Sequence, residues 1–203
     1  MPATSPFPRL VLGSSSPYRK ELLARLRIPF EAVAPDIDET PLPEESPQAT
    51  AMRLAERKAL AISAQAPQAV VIGCDQVATL DGGQIGKPGT HENALAQLQL
   101  MRGREVVFHT ALCLLDARSG APLPLQAENV QTFVTFRDLP DAELDAYLRI
   151  EQPYDCAGSA RNEGLGIALI ESIRGADPTA LTGLPLIALT TMLRRAGFPF
   201  FHG

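Results

Sequence analysis

Leu10-Val11-Leu12-Gly13-Ser14-Ser15-Ser16-Pro17-Tyr18-Arg19-Lys20-Glu21-Leu22-Leu23 decides the fold. Three apolar residues and a glycine read as a buried strand, three serines as a small polar turn, and Pro17 onward as a helix whose first turn is basic. A strand passing through a hydroxyl-bearing turn into a helix is the opening of an α/β fold. The same turn is an anion site in outline. Small residues let backbone N–H groups approach, the helix N-terminus adds its dipole, and Arg19 and Lys20 add full charges. The competing reading is an ordinary strand-to-helix turn, because serine caps helices generally and basic pairs are common on solvated faces.

Outward from this stretch, the pattern predicts a helix over Pro17 to Arg27, a strand over Phe30 to Ala34, and a proline-rich acidic loop from Pro35 to Glu45. Ser46 and Pro47 open a helix to Ala64, with Met52, Ala55 and Ala59 on one face and Arg53, Glu56 and Arg57 largely on the other. Ala69 to Gly73 is apolar throughout, as a strand covered on both faces should be. Val77 to Leu80, the turn Asp81-Gly82-Gly83 and Gln84-Ile85 make a hairpin. A helix over His91 to Met101 should bury Leu95 and Leu98, and strands follow over Glu105 to Leu115 and Leu125 to Arg137. A helix over Pro140 to Arg149, a glycine-rich stretch from Gly158 to Gly166, a strand over Ile167 to Ser172 and a helix over Leu184 to Ala196 complete the chain. No repeat or interdomain linker interrupts it, so the 203 residues read as a single domain, large enough for a substantial core.

Composition narrows the function. With 45% hydrophobic and 20% charged residues the chain has the make-up of a soluble globular protein. No apolar run reaches membrane length, and the opening Met1 to Arg9 is too polar and proline-rich for a signal peptide, which points to the cytoplasm and away from membranes. A net charge of −5 provides no footprint for a nucleic-acid polymer, although a local basic pocket could hold a small polyanion. Cys74, Cys113 and Cys156 have no metal-binding spacing and read as reduced thiols. His91, His109 and His202 are scattered, which disfavours a histidine metal site or a serine–histidine triad.

The second chemical feature is Asp75, read as lying just past a buried strand, at the carboxyl end where α/β proteins place ligands. It suits cation binding or water activation, against the alternative of a turn-forming aspartate. Lys87 lies in Gly86-Lys87-Pro88, a rigid connection able to present a cation to phosphate, and Lys58 lies late on the preceding helix. Lysine is by default solvated, so neither position decides function alone. Asp36, Asp38 and Glu39 in the acidic loop could share a cation with Asp75. An anion turn, separate carboxylates and separate cations are the parts of metal-assisted phosphate anhydride hydrolysis.

These residues resemble one family. Ser14-x-Ser16-Pro17-Tyr18-Arg19-x-Glu21-Leu22-Leu23, Asp75-Gln76-Val77, Asp81-Gly82 leading to Gly86-Lys87-Pro88, Ala157-Gly158-Ser159 and Gly183-Leu184-Pro185-Leu186 occur in the order seen in Maf-like nucleotide pyrophosphatases, over about Leu10 to Gly197. The resemblance implies a mixed twisted sheet flanked by helices, with two lobes around a deep cleft, akin to the inosine triphosphate pyrophosphatases. It implies cleavage of a nucleoside triphosphate between the α and β phosphates. It makes Asp75 the proton acceptor, places Ser14, Ser16, Arg19, Lys58 and Lys87 around the phosphates, and makes Glu39 an acidic member near a divalent cation that Asp75 would share. Mg²⁺ or Mn²⁺ suits such oxygen donors. A homodimer is a further expectation.

Three positions differ from relatives resembling dTTP and UTP hydrolases, which carry a second arginine, a threonine and a glutamine where this chain has Tyr18, Gln76 and Glu163. Cys156 and Ala160 stand where many relatives have lysine and tyrosine. The combination looks like the branch acting on 7-methylguanosine triphosphate. N7 methylation makes guanine cationic, so the Tyr18 ring could stack on it where arginine would repel it. Glu163 could accept from the guanine N1–H and amine edge, with Gln76 completing it. The alternatives are a dTTP/UTP or broader modified-nucleotide pyrophosphatase, and a nucleotide-binding regulator of cell division.

Overall fold

In the computed structural model, which describes residues 7–122 and 124–201, Leu10 to Gly13 form β1 (Leu10–Gly13), buried along its whole length. His202 and residues 1–6 of the polar opening stretch lie outside the described residues. β1 pairs in parallel with β2 (Glu31–Val33) and with β3 (Val70–Leu80), in a register that sets Leu10 opposite Val70 and Gly13 opposite Gly73. α1 (Pro17–Ala24) starts on Ser16, whose hydroxyl accepts the Arg19 N–H at 3.3 Å, with Pro17 pre-set for the first turn. It stops short of the Arg27 expected from the sequence, because Arg27 takes a left-handed φ of 55° that no helix can continue through.

α2 (Pro47–Ser63) is capped in the same way by Ser46. Its buried stripe is Ala51, Leu54, Ala55, Lys58, Ala59 and Ile62; Met52, expected on that face, is only half-buried. The largest departure is β3, which continues through Gly73, Cys74, Asp75 and Gln76 to Leu80, so that Asp75 lies inside a strand and not beyond its end. β3 then turns through Asp81 and Gly82, both left-handed at φ 50° and 80°, into the antiparallel β4 (Gly83–Ile85), as a two-residue hairpin turn requires.

α3 (His91–Met101) buries Leu98 and leaves Leu95 half-buried. β5 (Glu105–Asp116), β6 (Leu125–Phe136), α4 (Asp141–Glu151), β7 (Ile170–Gly175) and α5 (Leu186–Arg195) follow. Residues 167–169, expected in a strand, belong instead to a 3₁₀ helix over Leu165–Leu169. A Cβ on Gly166 would lie 2.5 Å from Arg161 backbone atoms, so the chain here is folded back on itself too closely to extend. The strand order is β2-β1-β3-β5-β6-β7 with β4 on β3, and β6 and β7 run antiparallel. This is the mixed sheet expected.

The chain forms two compact units. The first comprises residues 1–75, 110–130 and 177–203, and the second residues 76–109 and 131–176. In the first, Leu10, Leu12, Ile72, Leu112, Leu189 and Leu193 centre a continuous apolar core. In the second, α3 packs on α4 and on the 157–159 turn, with Met101 and Phe108 against Gly158. No helix among the described residues is long and apolar enough to cross a membrane.

Candidate active site

Gly73 is where α2 meets the sheet. A Cβ there would sit 2.1 Å from the Ala55 carbonyl oxygen and 2.8 Å from the Ala59 amide nitrogen, so only glycine lets helix and strand approach this closely. Lys58 is the helix residue beside that contact, and Asp75 lies two residues beyond Gly73 on the same face of β3. The approach brings Lys58 Nζ to 2.6 Å from Asp75 Oδ1. Glu39 Oε1 reaches the same ammonium at 2.7 Å. Lys58 and Asp75 are 6% and 7% exposed, which removes Lys58 from the solvated class to which lysines default.

Burial raises the Asp75 pKa above its ordinary 3.8, and Glu39 adds to the rise; the Lys58 charge and hydrogen bond, then Arg19, oppose it. The outcome is a carboxylate more basic than usual, with Oδ1 held by lysine. That is the character required of a general base.

The acidic loop is tied to α2 rather than freely solvated. Glu45 pairs with Arg53 at 2.7 Å, which holds its carboxyl down at about 2. Arg53 also donates to the Thr40 carbonyl and Arg57 to that of Asp38. Arg53 thus faces the loop, and the loop so held carries Glu39. The Asp38 carboxylate accepts the Thr40 N–H within a local turn. Among the described residues no group of three or more histidine, cysteine or acidic side chains is arranged to hold a metal ion.

Arg19 is half-buried. Its Nε donates to the Gly183 carbonyl at 2.9 Å and its Nη1 to the Cys74 carbonyl at 2.8 Å, tying α1 to the residue before Asp75. Nη2 makes no hydrogen bond among the described residues and stays available to an anion. Gly183 has φ +105°, and a Cβ there would press on Arg19. Its turn hangs on two residues not singled out from the sequence. Buried Asp177 accepts the Thr179 and Ile187 N–H groups, and the Thr179 hydroxyl accepts the Leu186 N–H. The only sequence signal was Asp177-Pro178, a turn-initiating pair.

Ser14 Oγ accepts the Ser16 N–H at 3.1 Å, and Ser16 Oγ is the α1 cap. Both oxygens therefore shape the turn, as the ordinary capping reading holds, while each hydroxyl hydrogen is still able to donate to phosphate. Tyr18 is half-buried in the first turn of α1. Gln76, Lys87 and Glu163 belong to the second unit. Gln76 follows Asp75 in β3, Glu163 is exposed in the turn before the Leu165–Leu169 3₁₀ helix, and Lys87 is exposed between Gly86 and Pro88.

A family model described as Maf-like protein matches residues 9–196. A protein named 7-methyl-GTP pyrophosphatase from Cupriavidus pinatubonensis is 64% identical over 198 residues, covering 98% of each chain. One of the same name from Cupriavidus metallidurans is 68% identical over 194 residues, covering 96% of each. Another, from Burkholderia pseudomallei, is 67% identical over 202 residues, covering 98% of this chain and 92% of its own.

Proposed function

The chain belongs to the Maf-like family, and from that membership we propose that it hydrolyses 7-methyl-GTP to 7-methyl-GMP and diphosphate, clearing a modified nucleotide. The observation that carries the chemistry is the buried Lys58–Asp75 pair with Glu39 on the same ammonium. The substrate is supported by relatives of that name at 64–68% identity over nearly the full chain.

Asp75 orients the attacking water and takes its proton, with the basicity that burial confers. Lys58 opposes the effect of burial on that carboxyl through its charge and its hydrogen bond. Arg19, through its remaining Nη2 donors, and Lys87 neutralise charge developing on the diphosphate leaving group. The Ser14 and Ser16 hydroxyls donate to phosphate oxygens. Tyr18 stacks on the cationic base, while Glu163 and Gln76 accept and donate at its edge.

The cofactor in this reading is Mg²⁺ or Mn²⁺. Glu39 and Asp75 fit it, since their carboxylates already converge on one positive group and such ions are held by one or two carboxylates together with substrate phosphates. When bound, the ion supplies acidity to the attacking water. The free thiols Cys74, Cys113 and Cys156 support a cytoplasmic site of action, and a homodimer is the assembly to look for by light scattering.

The test is diphosphate release from 7-methyl-GTP, GTP, dTTP and UTP with Mg²⁺ or Mn²⁺. Preference for 7-methyl-GTP is expected. Preference for dTTP or UTP would overturn the substrate assignment, and nucleotide binding that protects against thermal unfolding without diphosphate release would mark a regulator instead.

A further inference from the structure

Gln97 on α3 joins two segments that carry the family pattern, Gly86-Lys87-Pro88 and Ala157-Gly158-Ser159. Its Nε2 donates to the Gly86 carbonyl at 3.0 Å, and its Oε1 accepts the Ser159 hydroxyl at 2.6 Å. A carbonyl can only accept, so Nε2 must face Gly86, and Ser159 must then be the donor to Oε1. Asn93, one turn earlier on the same face of α3, donates Nδ2 to the Pro88 carbonyl at 3.0 Å. The carbonyls on either side of Lys87 are therefore held by two amides from one helix face.

The far end of this chain of bonds is rigid. Ser159 is fully buried and has a left-handed φ of 52°, a conformation that serine keeps only where its surroundings over-determine it. Gly158 before it, at φ +74°, packs against Phe108 and Met101. Lys87 itself is exposed and makes no hydrogen bond or ion pair among the described residues, so its placement rests on its backbone.

We propose that Gln97 is a positioning residue for Lys87: oriented by Ser159 and acting beside Asn93, it fixes the backbone from which the Lys87 ammonium meets the phosphates of a nucleotide. The inference rests on the reading of Lys87 as a phosphate contact. Displacement of a binding group by about 1 Å can lower turnover by up to about a hundredfold, so a restraint on this backbone bears on the rate.

The experiment measures kcat and KM for diphosphate release from 7-methyl-GTP on the wild type, Gln97→Ala, Gln97→Met, Lys87→Ala and the Gln97→Ala/Lys87→Ala double. Gln97→Ala should lower kcat/KM about tenfold, mostly through kcat. Gln97→Met fills the same space without hydrogen bonds and should lose as much; it also replaces alanine in the cycle should Gln97→Ala fail to fold. In the Lys87→Ala background the Gln97 substitution should change kcat/KM by less than about twofold, because residues acting through one another are not additive. Wild-type activity in Gln97→Met would reduce Gln97 to packing and overturn the inference. So would a full tenfold loss in the Lys87→Ala background, or a Lys87→Ala enzyme as active as the wild type. A wild type that releases no diphosphate refutes the proposed function and this inference together, whereas an active wild type with additive variants refutes this inference alone.

Discussion

Lys58→Met removes one charge from the centre of the site while leaving a flexible side chain of similar length in its place. Lys58 Nζ lies 2.6 Å from Asp75 Oδ1, and its charge and hydrogen bond are the main influences opposing the effect of burial on that carboxyl. Unit charges about 4 Å apart interact by ~4 kcal/mol at an effective dielectric constant of about 20. Each pKa unit corresponds to about 1.4 kcal/mol, and an adjacent cation lowers a carboxyl by roughly 1–3 units. Without Lys58, burial and Glu39 both push Asp75 upward and Arg19 alone opposes them. A base must be deprotonated to act, so the acid limb of kcat/KM should move to higher pH in the variant. The stability sign agrees. A carboxyl whose folded pKa is raised contributes stability that is complete below its unfolded value of 3.8 and is lost as pH rises through the folded value. The window over which thermal stability declines should therefore extend upward in Lys58→Met. The assay is diphosphate release from 7-methyl-GTP across pH, with Tm measured over the same range. Any loss on the alkaline plateau reports a phosphate contact by Lys58, while the position of the limb reports its pairing with Asp75. An acid limb that does not move would refute the assignment of Asp75 as the titrating base.

Three further outcomes follow from the same geometry. Asp75→Asn keeps the shape but removes the proton acceptor, so kcat should fall at least about a hundredfold with the fold intact by circular dichroism, and near-wild-type turnover would end the catalytic assignment. Gly73→Ala forces a methyl to within 2.1 Å of the Ala55 carbonyl oxygen, and such overpacking should destabilise by about 3 kcal/mol, read as a lower urea midpoint, and move Lys58 off Asp75, read as an upward-shifted acid limb; an unchanged midpoint would mean that α2 yields at no cost. Glu163→Gln should reduce kcat/KM for 7-methyl-GTP by roughly 1–3 kcal/mol and for dTTP or UTP by less, with Tyr18→Arg reinforcing the difference; parallel losses on all substrates would refer these residues to folding or phosphate binding.

Where a helix cap or a hairpin turn is the controlling interaction, the sequence by itself determined the structure. Ser16 and Ser46 announce helix starts because a hydroxyl caps an amide three residues on, and both do so. Asp81-Gly82 announces a hairpin because its turn needs two left-handed residues in succession. The errors at the site fall where a distant segment decides. β3 runs through Asp75 and the polar Gln76 because it lies between β1 and β5 in the sheet, whereas the apolar run alone ends at Gly73. Lys58 looks solvated by type, yet it is drawn in by a carboxylate seventeen residues away. The candidate residues were legible as chemical types in motifs, but what surrounds them was not. Arg19 ties to Gly183 across 164 residues, and Gln97 to Ser159 across 62. Caps and turns are set by atoms within a few bonds along the chain, while the basicity of Asp75 and the restraint on Lys87 come from burial and partners that exist only once distant segments are packed together.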